Sequence, residues 1–427
     1  MVKLRASACI LTLVLALVPC GPRRALANGA TRTKPAADQL LEAFEIARDG
    51  DFVIIPVQVG GSKLQFIVDT GASSTFIDES HRDLLGEPAG LFLDQTQPPS
   101  GPIRLVAAFT ASTILVGRLE FPLILAQKPD FNGLMGFKRY QFEGVPIMTA
   151  DFNHLSPTLG HSVDGVLGMD FLKQFVVQFD LDRGQLRFLS SVPVGAGERF
   201  DLVSKRGEPP SVELDASGRK SRSLLLDTGN TSRVMLSERA FSALCRAGKA
   251  TIYARSNATS LFGPVKSSLG VVDEFALGSY THQNLAVETF LTDGVGLGYL
   301  SRYIVTFDFP GNMVYFRKGR AFGKVDRFDQ SGLVIIKTDG QYVVERVDLS
   351  SPASDAGIKV GDVIVWIDKE PAARYSLFQL RRLLGEADRQ MTLTIRRNRK
   401  EGHVNLSPRE YRGPLQLKPA QAGKRPP

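Results

Sequence analysis

The triplet Asp-Thr-Gly occurs twice in this chain, at Asp69-Thr70-Gly71 and Asp227-Thr228-Gly229, and each copy closes a strand-like apolar run. The first unit begins with Phe52-Val53-Ile54-Ile55-Pro56-Val57-Gln58-Val59, turns at Gly60-Gly61, and returns through Lys63-Leu64-Gln65-Phe66-Ile67-Val68 into the triplet. The second does the same with Ser211-Val212-Glu213-Leu214, a turn at Ala216-Ser217-Gly218, and Ser223-Leu224-Leu225-Leu226. Turn residues between short apolar runs predict hairpins. The units also end alike. Asp164-Gly165-Val166-Leu167-Gly168 precedes a closing hairpin through Val177 and Phe188, and Asp293-Gly294-Val295-Gly296-Leu297-Gly298 precedes one through Val305 and Phe316. Four features in one order imply an internal duplication, and strands this short, punctuated by turns, imply mostly β halves.

A carboxylate at the end of an apolar strand sits at the edge of a low-dielectric core, where its pKa moves easily. Glycine permits the tight turn and close approach there, and the Thr hydroxyl can bond to neighbouring backbone. Two such loops face to face bring two carboxyls together, and both cannot ionise at about 3 Å. The pair then shares one proton, so that one member can take a proton from water while the other polarises a carbonyl. A single Asp-Thr-Gly is a common turn; two in matching contexts are a far more specific signal.

Phe66-Ile67-Val68-Asp69-Thr70-Gly71-Ala72-Ser73 resembles the active-site loop of retropepsin-like aspartic proteases. Val166-Leu167-Gly168, with Gly296-Leu297-Gly298 as a looser counterpart, resembles the strand packed behind that loop. The resemblance covers residues 50–317. It implies two similar closed β-barrel-like lobes with a cleft between them, as in pepsin-like enzymes where one chain supplies both halves. It further implies Asp69 and Asp227 as the catalytic pair, Thr70 and Thr228 knitting the loops together, and Gly71 and Gly229 turning N–H groups to the carboxylates. Departures are Asn230, where the family has Ala, Ser or Thr, and Gly296 in place of a bulkier residue. An Asn230 amide donating to Asp227 would make Asp227 the ionised member and Asp69 the protonated one. No flap hairpin is evident: Glu87–Pro102 reads as loop, and residues 131–160 give mixed signals.

The pattern changes after Ser331. Ser351-Pro352-Ala353-Ser354-Asp355-Ala356-Gly357 leads through Val360-Gly361-Asp362 into Val363-Ile364-Val365-Trp366-Ile367, a short helix opened by Ser and Pro and closed by Gly, then a turn into a core strand. This run resembles bacterial PDZ domains, over residues 321–408. The resemblance implies an α+β module that takes an extended peptide as an added strand and holds its C-terminal carboxylate. The groove would be lined by Ser331, Gly332, Leu333, Val334 and Ile335. A structural or autoinhibitory module is the alternative.

Residues 1–27 read as an export signal: Lys3 and Arg5, the apolar Ala8–Val18, and Ala25-Leu26-Ala27 as a cleavage site. An uncleaved anchor is the alternative. Beyond the signal only Cys245 remains, so no internal disulfide can form. Export without disulfides suits a periplasmic or extracellular place in a bacterial envelope. The net charge of +8 is unevenly spread: residues 317–427 hold 22 Lys and Arg against 13 Asp and Glu. This basic end reads as a solvated module and tail, with no aromatic-interleaved stripe to suggest nucleic acid. Five scattered histidines offer no metal spacing, and neither cofactor nor metal is expected.

The expected order is thus a signal (1–27), an extension (28–50), the first lobe (51–190), a connector (191–210), the second lobe (211–317), the PDZ module (321–408) and a disordered tail (409–427). The expected function is endopeptidase action on protein or peptide substrates by a monomer, with the PDZ module recruiting or gating them. The rivals are a protease-like peptide-binding protein of low or no turnover and an enzyme that needs a second copy of the chain.

Overall fold

The computed structural model describes residues 40–409, apart from 49, 87, 94–104, 112–113, 121–144, 206–207, 215–221, 261–262, 327–329 and 387–388. The expected signal and nearly all of the tail lie outside the described residues. The chain is mostly β, in four sheets.

The first half builds a nine-stranded sheet in which the hairpin Ile54–Val59 and Ser62–Val68 lies beside Gly165–Leu167, then Phe76–Asp78, Val145–Ala150, Leu105–Ala111 and Pro88–Leu93. The hairpin forms for the reason its sequence suggested: Gly60 and Gly61 adopt positive φ, 53° and 86°.

 The alternating residues Ile55, Val57 and Val59 point into the core and are fully buried. Pro88–Leu93, expected as loop, is a strand paired with Leu105–Ala111. Of the unplaced 131–160 stretch, Val145–Ala150 is a strand and Ser156–Leu159 a short helix, and residues 131–144 lie outside the described residues.

The second half repeats the plan in seven strands. Ser211–Leu214 and Arg222–Leu226 lie beside Gly294–Val295, Val234–Leu236, Tyr280–Thr289, Gly263–Leu277 and Ala250–Ser260. The helix Glu238–Arg246 follows Ser237, which caps it without a side-chain bond, and the Ser237 N–H donates to Asp293 Oδ1. Among the described residues neither strand order returns to its first strand, so a mostly β chain is established and closure of the lobes is not.

A six-stranded sheet joins the halves. The two closing hairpins, Val176–Asp180 with Gln185–Leu189 and Tyr303–Asp308 with Met313–Lys318, meet along Val176–Phe179 and Val305–Asp308. Gln178 donates from Nε2 to Thr306 Oγ1 across this buried seam at 2.9 Å. The connector is not bare loop, because its Glu198–Asp201 segment adds a strand to the same sheet. One hydrophobic core runs through both halves and the seam.

The C-terminal sheet runs Leu333–Thr338, Gln341–Val347, Val363–Ile367, Met391–Arg397, Lys400–Leu406, around a core of its own. The helix Pro352–Asp355 is capped by Ser351, whose Oγ accepts from the Ser354 N–H, and Gly357 ends it at φ 74°. The helix Leu377–Leu384 opens with a capping box between Ser376 and Gln379 and buries Leu377, Leu380 and Leu384. Among the described residues no helix is long and apolar enough to cross a membrane.

Candidate active site

Both triplets lie at the end of a strand that has a parallel neighbour. Asp69 N–H donates to Leu167 O at 3.0 Å, and Asp227 N–H donates to Val295 O at 2.9 Å. The threonines then tie the loops to each other. Thr70 Oγ1 donates to Leu226 O at 2.6 Å and Thr228 Oγ1 donates to Val68 O at 2.8 Å. Each hydroxyl oxygen also accepts the other threonine's N–H, both at 3.0 Å. Both threonines are buried, so four backbone groups that water cannot reach are satisfied by two side chains.

This lock sets the carboxyls of Asp69 and Asp227 in hydrogen-bond contact. Asp69 Oδ1 accepts from Gly71 N–H at 2.7 Å and Ala72 N–H at 3.2 Å, and its carboxylate also accepts from Gly229 N–H. Asp227 Oδ1 accepts from Gly229 N–H at 2.9 Å. The glycines are required by this crowding: a Cβ on Gly229 would lie 2.1 Å from Asp69 Cγ, and one on Gly71 2.6 Å from Asp227 Oδ1. Burial raises the pKa of Asp69, but three backbone donors oppose it. Burial and then the charge of Asp69 push Asp227 well above the ordinary carboxylate range. Both shifts run upward and further at Asp227, so the pair favours holding a proton, Asp227 the more strongly.

These directions run against the expectation built on Asn230. The Asn230 Oδ1 turns away to accept from Ser232 N–H at 2.7 Å, which stabilises the loop rather than the charge of Asp227. Ala72 serves through its backbone, with its carbonyl accepting from Met169 N–H at 2.8 Å, while Ser73 is exposed.

Behind the first loop, Val166 pairs with Ile67 and Leu167 with Val68, as expected. A Cβ on Gly168 would lie 2.4 Å from Ser74 O. Behind the second loop the expected segment is displaced. The paired residues are Gly294 and Val295, and Gly296 occupies the place of Gly168. The two glycines share one conformation, φ −99° and ψ −171° against φ −103° and ψ −172°, each preceding a short helix. Leu297 and Gly298 belong to that helix, and Leu297 N–H donates to Asn230 O as Met169 does to Ala72 O. The second unit is one residue shorter here, so its apolar-Gly pattern at Gly296-Leu297-Gly298 ends two residues past the matching glycine. Gly296 is thus the matching glycine and replaces no bulky residue.

Two features escaped sequence reasoning. Asp170 lies half-buried behind the first loop, accepting from Thr75 N–H and Oγ1 at 2.8 and 2.7 Å, and loss of solvent there raises its pKa. Thr75 Oγ1 in turn accepts from Gly168 N–H at 3.1 Å. The only sequence signal was an acid two places after the Gly168 segment. The other feature is a long hairpin of Ala250–Ser260 and Gly263–Leu277. Its neighbour Tyr280–Thr289 pairs with it only from Leu269 onward, so the outer part stands free of the sheet as a two-stranded arm.

In the C-terminal module, Leu333–Thr338 is the edge strand expected of a peptide groove. Leu333 and Ile335 turn into the core, Val334 pairs with Arg346, and Gly332 adopts φ 76°. The loop is partly self-satisfied, since Leu333 N–H donates to Ser331 Oγ at 3.1 Å and Arg381 Nε donates to Ile335 O at 3.1 Å. The first-half helix Ser156–Leu159 packs against this edge strand, and a Cβ on Gly160 would lie 2.5 Å from Leu377 Cβ.

A family model described as aspartyl protease matches residues 55–171, and a PDZ domain model matches residues 343–397. The first match takes in Asp69 and Gly168 and ends before the second half. No curated protein matches the chain. The chain carries an aspartyl protease domain and, C-terminal to it, a PDZ domain.

Proposed function

We propose that the chain is an aspartic endopeptidase that hydrolyses peptide bonds with a water activated between Asp69 and Asp227. The observation that carries this reading is the threonine lock, which holds two half-buried carboxyls in contact, both with pKa values raised. Ionised Asp69 takes a proton from the water as its oxygen bonds to the scissile carbonyl carbon. Asp227 gives its proton to the carbonyl oxygen, forming a geminal diol. Asp69 then protonates the leaving nitrogen, the C–N bond breaks, and a diol proton returns to Asp227. The free-standing arm is proposed as the cover over a bound peptide, and Asp170 as a positioning residue for the first loop.

The PDZ domain supports peptide binding. We assign it a gating role because the protease domain itself packs on the groove strand. Export through residues 1–27 is part of the same proposal, checked by the N-terminus of the mature chain.

The test is cleavage of an unstructured polypeptide by the full chain beside Asp69→Asn and Asp227→Asn. Cleavage by the wild type, lost by at least about a thousandfold in both variants, supports the reading. Absence of cleavage from acid to mildly alkaline pH leaves a peptide-binding protein.

A further inference from the structure

The two halves differ at one matched position beside the loops. In the first half Phe76 pairs with Met148 and Ile77 with Thr149; in the second Val234 pairs with Val287 and Met235 with Glu288. Phe76 also pairs with Val166, and Met235 with Gly294, which takes the place of Val166, so Met148 and Glu288 are register equivalents, one neutral and one acidic. Leu285 and Val287 are buried in the core, and alternation along the strand turns Glu288 to the other face, where it is half-buried.

Glu288 joins two parts of the candidate site. Its Oε2 accepts from Ser232 Oγ at 2.6 Å, on the loop that leads from Asp227, and its Oε1 accepts from Ser267 Oγ at 3.2 Å, at the base of the arm. Both donors are neutral. Among the described residues no cation pairs with Glu288. The nearby Arg233 is engaged elsewhere, its Nε 2.7 Å from Asp326 Oδ1. A carboxylate offers about four acceptor positions, and a partly desolvated one is most stabilised by a cationic partner.

We infer that Glu288 is a specificity-determining residue that receives a Lys or Arg side chain of the peptide on the Asp227 side of the cleft. This inference rests on the peptidase reading above. Because the uncharged Met148 stands at the equivalent place, the preference for a basic residue falls on one side of the scissile bond only.

The experiment compares two peptides that differ by Lys against norleucine at the preferred position, found by library profiling with the full chain. The wild type cleaves the Lys peptide with a higher kcat/KM by about tenfold, the scale of one charge-assisted contact. Glu288→Gln removes that ratio, Glu288→Asp restores part of it, and Glu288→Lys turns the preference toward Glu. A wild type indifferent to basic residues overturns the inference and leaves the peptidase reading standing. So does a Glu288→Gln chain that retains the ratio, or loses activity on both peptides equally, since Glu288 is then a strut between loop and arm. Direct binding of the same two peptides to Asp69→Asn repeats the comparison without turnover. If the wild type cleaves nothing, the peptidase reading fails, and equal binding of the two peptides would still reject Glu288 as the reader of charge.

Discussion

Thr70 and Thr228 hold each other by a reciprocal exchange in which each N–H donates to the other's hydroxyl oxygen at 3.0 Å. Each hydroxyl then donates to the carbonyl before the opposite aspartate, Leu226 O or Val68 O. Thr228→Ala strips the partners from Thr70 N–H and Val68 O in a buried place. With about 1–3 kcal/mol for each unsatisfied buried group, a loss of about 2–6 kcal/mol is expected in urea unfolding. Thr228→Ser keeps the hydroxyl and should recover most of that stability. Equal losses for Ala and Ser would mean that the methyl group, not the lock, holds the loops.

The proposed reaction requires one proton on the pair, and the directions of the two shifts set its pH range. Asp69 is raised above its ordinary value of 3.8, so the acid limb of kcat/KM should lie above that value. Asp227 is raised well above 3.8 and keeps its proton further up, so the alkaline limb follows at higher pH. A peptidase with its acid limb at or below 3.8 would contradict this assignment.

The same direction governs stability. A carboxyl with a raised folded pKa contributes stability that is fully present below the unfolded value and lost as pH rises through the folded one. Asp227→Asn keeps a donor toward Asp69 without the ionisation. It should therefore raise Tm near pH 7 and give no such gain near pH 3, where both carboxyls are protonated in either state. One pKa unit corresponds to about 1.4 kcal/mol, or about 3–6 °C for a domain of 150–250 residues. A gain that is the same at both pH values would have another cause.

The site was legible where the chemistry is local to the chain. Asp69, Thr70 and Gly71 act within one tight turn, and their second copy repeats it, so the resemblance of these two short runs to an aspartic protease loop was enough to imply the roles of Thr70 and Thr228. The register behind Asp227 was not legible, because Gly294-Val295-Gly296 and Gly296-Leu297-Gly298 read equally well as an apolar-Gly segment. Only the parallel pairing of Leu226 with Val295 separates them. The larger upward shift at Asp227 was not legible for a similar reason: it depends on Gly229 N–H reaching across to Asp69, and Asn230 accepts from Ser232. Asp170 and the strand Pro88–Leu93 depend on partners far along the chain.

The corrected register carries its own prediction. A Cβ on Gly296 would meet Asn230 O at 2.5 Å and Ser232 O at 2.6 Å, both backbone atoms of the second loop. Gly296→Ala must displace that loop, at a cost of about 1–3 kcal/mol for overpacking, and the proposed activity should fall with it. Gly323→Ala, with nothing within 4 Å of its Cβ, is the control. Indifference of both stability and cleavage to Gly296→Ala would reject the close approach.

The contact between the domains predicts how the gate responds to a peptide. Ser156–Leu159 lies on the groove strand, and Gly160, at φ 73°, sits directly over Leu377. Gly160→Val introduces a side chain where a Cβ is already only 2.5 Å from Leu377 Cβ, so it should part the two domains without altering a groove residue. If the covered form outweighs the open one by about ten to one, freeing the groove raises the apparent affinity for a C-terminal peptide by up to about tenfold. The peptide must still displace Ser331 Oγ from Leu333 N–H and Arg381 from Ile335 O, so Arg381→Met should add to the effect of Gly160→Val. Peptide titration of the full chain by fluorescence anisotropy reads both. An affinity unmoved by Gly160→Val, in a chain whose segment 318–333 has become easier to cut with an added protease, would show that the domains parted without any gate being opened.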